Sequence, residues 1–362
     1  MRITFITTVR HNVGDDFVRD GLKFLLKKAL NRRGLRFESV HKHAPITARV
    51  GFDGMRRAKI SRALDEHLPL SLTRDRIRSA DLVVQSGAPV YWCHRAVNAH
   101  CCDNEWYDPL VRRRLAGVNK LLNIAGGSCQ TFFSDGSEVC PRCREYVREL
   151  FAACRVTTLR DAVARRILND AGHDAPVIPC TSLFAVDEQA ILPAGEEYVA
   201  VNFMPTAAHY TFGQAIDRQK WLTEFSRFYF ELKRSERVIF SCHDRNERDW
   251  ARRIDPRAEI FFAAPDSVRY LEFYARAKAG VVNRIHAALA LASLGKPALV
   301  IGADSRARMA AEIDLPTLFV NDADAETLMS GYQSLPPMKP SFAERIRHIK
   351  EKALQEYVRI LR

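Results

Sequence analysis

Arg284 and His286 are the residues of this chain best placed to do chemistry. They lie two apart, directly after an apolar run, Gly280–Val282, and directly before a small-residue run, Ala287–Leu294. An arginine offers a planar fork of N–H donors suited to a carboxylate or a phosphate. A histidine exchanges a proton near neutral pH and serves as a general acid or base. Asn283, just before them, reads either as a ligand to the same group or as a helix cap. The pattern continues through Gly295, Pro297, a second apolar run at Ala298–Ile301, and Asp304-x-Arg306-x-Arg308. A cation and an imidazole therefore sit where a buried strand gives way to a helix. In open α/β sheets that edge takes ligands, and the first turn of the helix offers unpaired N–H groups to an anion.

Other candidates occupy equivalent places. The turn Asn12-Val13-Gly14-Asp15-Asp16 follows the first apolar run. Gly14 permits close backbone approach, and Asn12 and Asp15 suit a ligand hydroxyl; a plain helix cap is the alternative. Cys242-His243-Asp244 follows Arg237–Ser241, which puts His243 at a strand end within reach of the same anion. Arg160-Asp161 closes Arg155–Leu159 and opens a helix. Gly126-Gly127-Ser128-Cys129-Gln130 follows Leu121–Ala125, where two glycines permit a tight turn with exposed N–H groups. Cys129 reads as a small residue there rather than a nucleophile. Asp322-Ala323-Asp324 has the spacing of a divalent-metal motif, while Asn321 and Asp322 read more simply as the cap before Ala323–Met329.

Eight of the nine cysteines lie between Cys93 and Cys180. The N-terminal residues lack a signal-peptide hydrophobic region, so a cytoplasmic protein without a disulfide framework is expected. Cys140-x-x-Cys143 has the spacing of half a zinc or iron–sulfur site. Cys101 and Cys102, with Cys93, His94 and His100 nearby, are candidates for the remainder. A set of reduced, unliganded thiols is the alternative.

These residues need elements to position them. Strand-like runs alternate with amphipathic helical runs along the whole chain, which implies α/β architecture with parallel sheets. At 362 residues and 47% hydrophobic, the chain is long and apolar enough for two cores. The expected division is a Rossmann-like domain at 1–190 with a cysteine-rich insertion, a second Rossmann-like domain at 191–338, and a C-terminal helix at 339–362 that packs back on the first domain. Helices are expected near Arg56–Asp65, Asp108–Val118 and Ser305–Glu312, a short strand at Val177–Ile178, and a loop over Asp187–Glu196. There is no G-x-G-x-x-G after the first strand, no Walker A loop and no G-x-S-x-G elbow. The net charge of +12 is dispersed over many short basic clusters. It suits acidic substrates or the surface of an anionic membrane, and no nucleic-acid-binding signature accompanies it. No run reaches the roughly 18 apolar residues of a membrane span.

The chain resembles the polysaccharide pyruvyl transferase family. The resemblance rests on Arg284-x-His286, Gly295-x-Pro297 and Asp304 with Arg306, on Asn12-x-Gly14-Asp15, on Arg160-Asp161, and on His243 with Asp249. It departs from the family at Gly126–Gln130, at Pro179-Cys180-Thr181-Ser182, and in the cysteines between Cys93 and Cys143. The resemblance implies two Rossmann-like domains facing a cleft, a GT-B-like fold, with acceptor bound by the first and donor by the second. It implies transfer of a pyruvyl group from phosphoenolpyruvate to hydroxyls of a glycan or lipid-linked glycan, with no required cofactor. Arg284 would bind the donor's phosphate or carboxylate, His286 would act as general acid, and Asp15 or His243 as base. Gly126, Gly127, Arg160, Asn283, Asp304 and Arg306 would line the substrate site. Two other readings remain: a GT-B glycosyltransferase using a nucleotide sugar, and a non-catalytic metal- or redox-sensing protein.

Overall fold

Two all-parallel sheets frame this computed structural model, which describes residues 1–8, 12–42, 76–93, 115, 118–209, 211, 213–263, 266–336 and 340–362. The first sheet runs β2 (Arg36–His41), β1 (Arg2–Thr7), β3 (Leu82–Ser86), β4 (Leu121–Gly126), β5 (Cys154–Leu159). The second runs β11 (Thr317–Phe319), β10 (Ala298–Gly302), β9 (Ala277–Val282), β6 (Tyr198–Val201), β7 (Val238–Ser241), β8 (Glu259–Phe261). Parallel sheets covered on both faces need strands apolar on both sides. β3, β4, β6 and β10 meet this with every residue buried. In each sheet the strand order reverses once, between β1 and β3 and between β9 and β6. Such reversals open a crevice at the carboxyl ends of the strands.

The helices are α1 (Val13–Leu30), α2 (Pro141–Ala153), α3 (Ala162–Asp170), α4 (Ala185–Gln189), α5 (Arg218–Leu232), α6 (Arg245–Ile254), α7 (Ser267–Arg276), α8 (Ile285–Ser293), α9 (Ala325–Gln333) and α10 (Pro340–Leu361). Most start where their sequences say they should. Asn12, Asp161, Asp217, Asp244, Asp266 and Asp324 each accept a backbone N–H in the first turn of the helix that follows. Asp324, rather than the expected Asn321 or Asp322, is thereby the cap of α9, because Val320–Asp322 forms a 3-10 turn before it. Gly295 ends α8 at φ +73°, a left-handed conformation that disfavours a side chain.

One apolar cluster joins the two sheets. It holds Phe5 of β1, Phe17 and Leu22 of α1, Val282 of β9, Leu289 of α8, and Tyr357 of α10. Gly21 lets α1 lie on the turn Thr181–Phe184, where a Cβ would fall 1.7 Å from the Thr181 carbonyl oxygen. α10 closes back over α1, and its Tyr357 hydroxyl donates to the Pro179 carbonyl at 2.9 Å. Among the described residues, no helix is long and apolar enough to cross a membrane.

Three local expectations change. Val177 makes only an isolated bridge to Leu159. Ser305–Ile313 is a 3-10 helix, because Asp304 takes the N–H of Arg306 two residues on and tightens the first turn. α4 fills the start of the loop expected from Asp187. The helices expected at Arg56–Asp65 and Asp108–Val118 fall outside the described residues, apart from Leu115 and Val118.

Candidate functional site

A cavity of about 310 Å³ opens at the carboxyl edges of both sheets. Each wall comes from the loop after a strand. Thr8, Asn12, Gly14 and Asp15 follow β1, Lys42 follows β2, Gly87 and Pro89 follow β3, and Arg160 follows β5. The second sheet supplies Met204 and His209 after β6, His243 and Asp244 after β7, Asn283 to His286 after β9, and Asp304 and Arg306 after β10.

The charges in this cavity are unequal in their partners. Arg284 is buried, and its whole fork is engaged. Its Nε donates to Glu247 at 2.5 Å, one Nη donates to Asp244 at 2.7 Å, and the other meets His209 Nε2. Two carboxylates therefore offset its charge. Arg306 is held by both oxygens of Asp304, at 2.9 and 2.6 Å. Arg160 differs. It is 2% exposed, one of its Nη groups donates to the Gly87 carbonyl, and its buried Nε has no hydrogen-bond partner among the described residues. Its neighbour Asp161 is turned away, accepting from the N–H of Ser128 at 2.9 Å and of Ala164 at 2.8 Å. Among the described residues no carboxylate pairs with Arg160, so the cavity wall contains a buried cation with no counter-charge. Burying such a charge is costly unless a ligand completes it.

His286 sits among these cations. Burial, then Arg160, Arg306 and Arg284, pushes its imidazole well below the ordinary value of 6.5. In the unliganded cavity it is neutral at neutral pH. Gly14 is what lets α1 approach it, since a Cβ there would lie 2.6 Å from His286 Nδ1. Gly14→Ala is expected to displace the ring and lower turnover by about 10²-fold with little loss of thermal stability. Turnover equal to wild type would show that the ring position is not critical.

His243 is also neutral, through burial, then Arg284 and His286. Its Nε2 pairs with the Tyr274 hydroxyl at 2.7 Å, and its Nδ1 has no partner. Asp15 is half-buried and accepts from the Thr8 hydroxyl. Burial lowers the Lys42 ammonium to about 8, with Asp15 opposing the shift and Arg306 adding to it.

Several expected residues take supporting parts. Asn12 caps α1 through the N–H of Gly14 at 3.1 Å. Asn283 lines the cavity, but its amide is committed to the N–H of Met204 and the carbonyl of Ile301, at 2.7 and 2.9 Å. Gly126 and Gly127 do not line the cavity. A Cβ on Gly127 would lie 2.1 Å from Arg160 Nε, so this glycine makes room for the guanidinium. Asp249 is exposed on α6 against Arg248, and Glu247 and Asp244 do the work near His243 instead. Cys129 is fully buried and burial pushes its thiol far up, which leaves it no nucleophilic character. Cys101 and Cys102 fall outside the described residues. Cys140 and Cys143 are instead met by Cys93.

Glu247, Lys42 and His209 carried no sequence signal that reached the cavity. Glu247 is the most consequential. Its buried carboxylate also accepts from Asn202 at 2.9 Å and from the N–H of His243 at 2.7 Å. Arg284→Ala would leave this charge without its cation and is expected to destabilise the fold by about 3–5 kcal/mol in urea denaturation. A loss under about 1 kcal/mol would show that Arg284 is not the partner that holds Glu247.

The family model for polysaccharide pyruvyl transferases matches residues 118–305, just over half of the 362-residue chain. No curated protein matches in sequence. Solved structures match in fold. A putative UDP-N-acetylglucosamine 2-epimerase from Listeria monocytogenes is 10% identical, with 99% of this chain and 91% of that chain covered and a TM-score of 0.54. The Methanocaldococcus jannaschii UDP-GlcNAc 2-epimerase in complex with UDP-GlcNAc and UDP is 10% identical, covering 97% and 99%, with a TM-score of 0.53. The S. aureus MnaA–UDP structure is 11% identical, covering 97% and 91%, with a TM-score of 0.53. At these identities the likeness is one of fold, two Rossmann-like halves facing a cleft in the GT-B manner.

Proposed function

Because this chain belongs to the polysaccharide pyruvyl transferase family, and is therefore a transferase, we propose that its cavity binds phosphoenolpyruvate and passes the pyruvyl group to hydroxyls of a glycan. The observation that carries this reading is Arg160, a buried guanidinium without a carboxylate partner among the described residues. A donor with a phosphate and a carboxylate on one enol carbon supplies the missing negative charge. The first turn of α8 supports it, because its cap, Arg284, makes no side-chain bond to the N–H groups there.

The chemistry follows from the charges. An anion bound beside His286 offsets the guanidiniums that hold the ring neutral, and the imidazole takes up a proton. His286 then gives that proton to the terminal enol carbon, which becomes the methyl group. Positive charge develops on the adjacent carbon, and an acceptor hydroxyl oxygen bonds to it as Asp15 removes the hydroxyl proton. Asp15 is the better base because it is half-exposed, whereas His243 is buried and its Nε2 is engaged by Tyr274. The bond from carbon to phosphate oxygen breaks, a second hydroxyl closes the ketal, and its proton leaves on hydrogen phosphate. One hydroxyl proton thus replaces the one spent on the methyl group, and the other departs with the phosphate. The net charge of +12 favours acidic acceptors, including lipid-linked glycans at an anionic membrane surface.

The test is phosphate release from phosphoenolpyruvate in the presence of a panel of glycans, with mass spectrometry of the acceptor. Acceptor-dependent release with formation of a ketal supports the reading. Consumption of a nucleotide sugar, with phosphoenolpyruvate untouched, would replace it with a glycosyltransferase.

A further inference from the structure

The sulfurs of Cys93, Cys140 and Cys143 lie within 4.8 Å of one another, away from the cavity. We propose that they are three thiolate ligands of one zinc ion, which clamps the loop after β3 to the start of α2. This does not rest on the transferase reading.

Four observations carry it. First, the ligands come from distant segments. Cys93 lies in the segment after β3, and Cys140 and Cys143 stand 47 and more residues later, at the cap and in the first turn of α2. Second, the spacing suits one ion. Sulfurs bound tetrahedrally at about 2.3 Å from zinc lie about 3.8 Å apart. An iron–sulfur cluster interposes its own sulfides and spreads the cysteine sulfurs wider, and a disulfide would join only two of the three. No disulfide joins these cysteines to one another. Third, Cys140 and Cys143 have the C-x-x-C spacing of a zinc half-site and stand together at the start of one helix, which puts both sulfurs on the side where Cys93 arrives. Fourth, the Cys140 N–H donates to the Cys93 sulfur at 3.4 Å. Backbone donors of this kind orient metal-bound thiolates and share their charge.

The clamp has a structural consequence. The same loop carries Gly87, whose carbonyl accepts from Arg160, and Pro89 of the cavity wall. It is tied to the turn after β4 by Tyr91 N–H to Gly127 at 3.0 Å, Gly127 N–H to Ala88 at 2.9 Å, and Cys129 N–H to Tyr91 at 3.1 Å. Zinc on Cys93 restrains this segment, and with it Gly87 and Pro89 at the cavity wall.

The experiment is elemental analysis of the full chain purified anaerobically, compared with Cys140→Ser, whose position is half-exposed. About one zinc per chain is expected in the wild type, and less than about a tenth of that in the variant. In addition, wild type stripped with a chelator and refilled with cobalt should show thiolate-to-cobalt charge-transfer absorption, and zinc should restore several degrees of melting temperature. These two readouts do not require the variant to fold. Absence of zinc together with absence of the cobalt band overturns the proposal. So does iron with inorganic sulfide in place of zinc, or a disulfide between Cys93 and either partner in the anaerobic protein.

Discussion

Arg160→Ala is expected to cut kcat/KM for phosphoenolpyruvate by about 10²–10³-fold, the effect of losing two charge-assisted hydrogen bonds in a buried site. The remaining arginines of the cavity do not take over, because they are already engaged. Arg284 is bound by Glu247 and Asp244, and Arg306 by Asp304. Arg160→Lys keeps the charge but not the fork, and should fall between wild type and alanine. Steady-state phosphate release measures all three, with circular dichroism confirming that the variants fold. A kcat/KM within about threefold of wild type for Arg160→Ala would remove this residue from the donor site.

His286→Asn is expected to lower turnover by about 10²–10⁴-fold, the usual contribution of a general acid, and to change donor affinity little. The variant also has a pH signature. His286 is neutral in the free cavity because its imidazole lies below 6.5, through burial and then three arginines. A bound dianion raises it, so the complex holds more protons than the free protein and binding strengthens as pH falls. In His286→Asn that pH dependence should flatten. The same shift acts on stability with the opposite result. A histidine whose folded value is depressed contributes stability above 6.5 that is lost as pH falls below it. His243 behaves alike, being depressed by burial first and then by Arg284 and His286. Turnover of His286→Asn within about twofold of wild type would exclude the acid role.

Much of the frame was legible in the residues, since buried parallel strands are written as uninterrupted apolar runs and the helix caps as Asp or Asn. Placing candidate residues at strand ends was sufficient to bring ten of them to one cavity, from Asn12 to Arg306. Charge compensation was not legible. Arg284 looks like the free cation of the motif, yet its neutralising Glu247 and Asp244 lie 37 and 40 residues earlier in the chain. Arg160 has a carboxylate beside it in the chain, Asp161, but strand-to-helix geometry makes that carboxylate the cap of α3. Gly127 reads as a ligand-binding turn and serves instead as the hollow that receives Arg160. Lys42 reaches the cavity because β2 pairs with β1, a tertiary fact with no local trace. The cysteine pattern showed one half-site and several candidates for the rest, and only the fold brings Cys93, among them, to Cys140 and Cys143.

Recognition of phosphoenolpyruvate by this cavity is expected to run through Arg160. Isothermal titration of phosphoenolpyruvate and of UDP-GlcNAc into the wild type and Arg160→Ala, in two buffers of different ionisation enthalpy, tests it most directly. Saturable binding of phosphoenolpyruvate with proton uptake is predicted for the wild type, with no measurable heat in the variant and none from UDP-GlcNAc in either protein. Binding of UDP-GlcNAc with no response to phosphoenolpyruvate, or equal binding of phosphoenolpyruvate by both proteins, would contradict it.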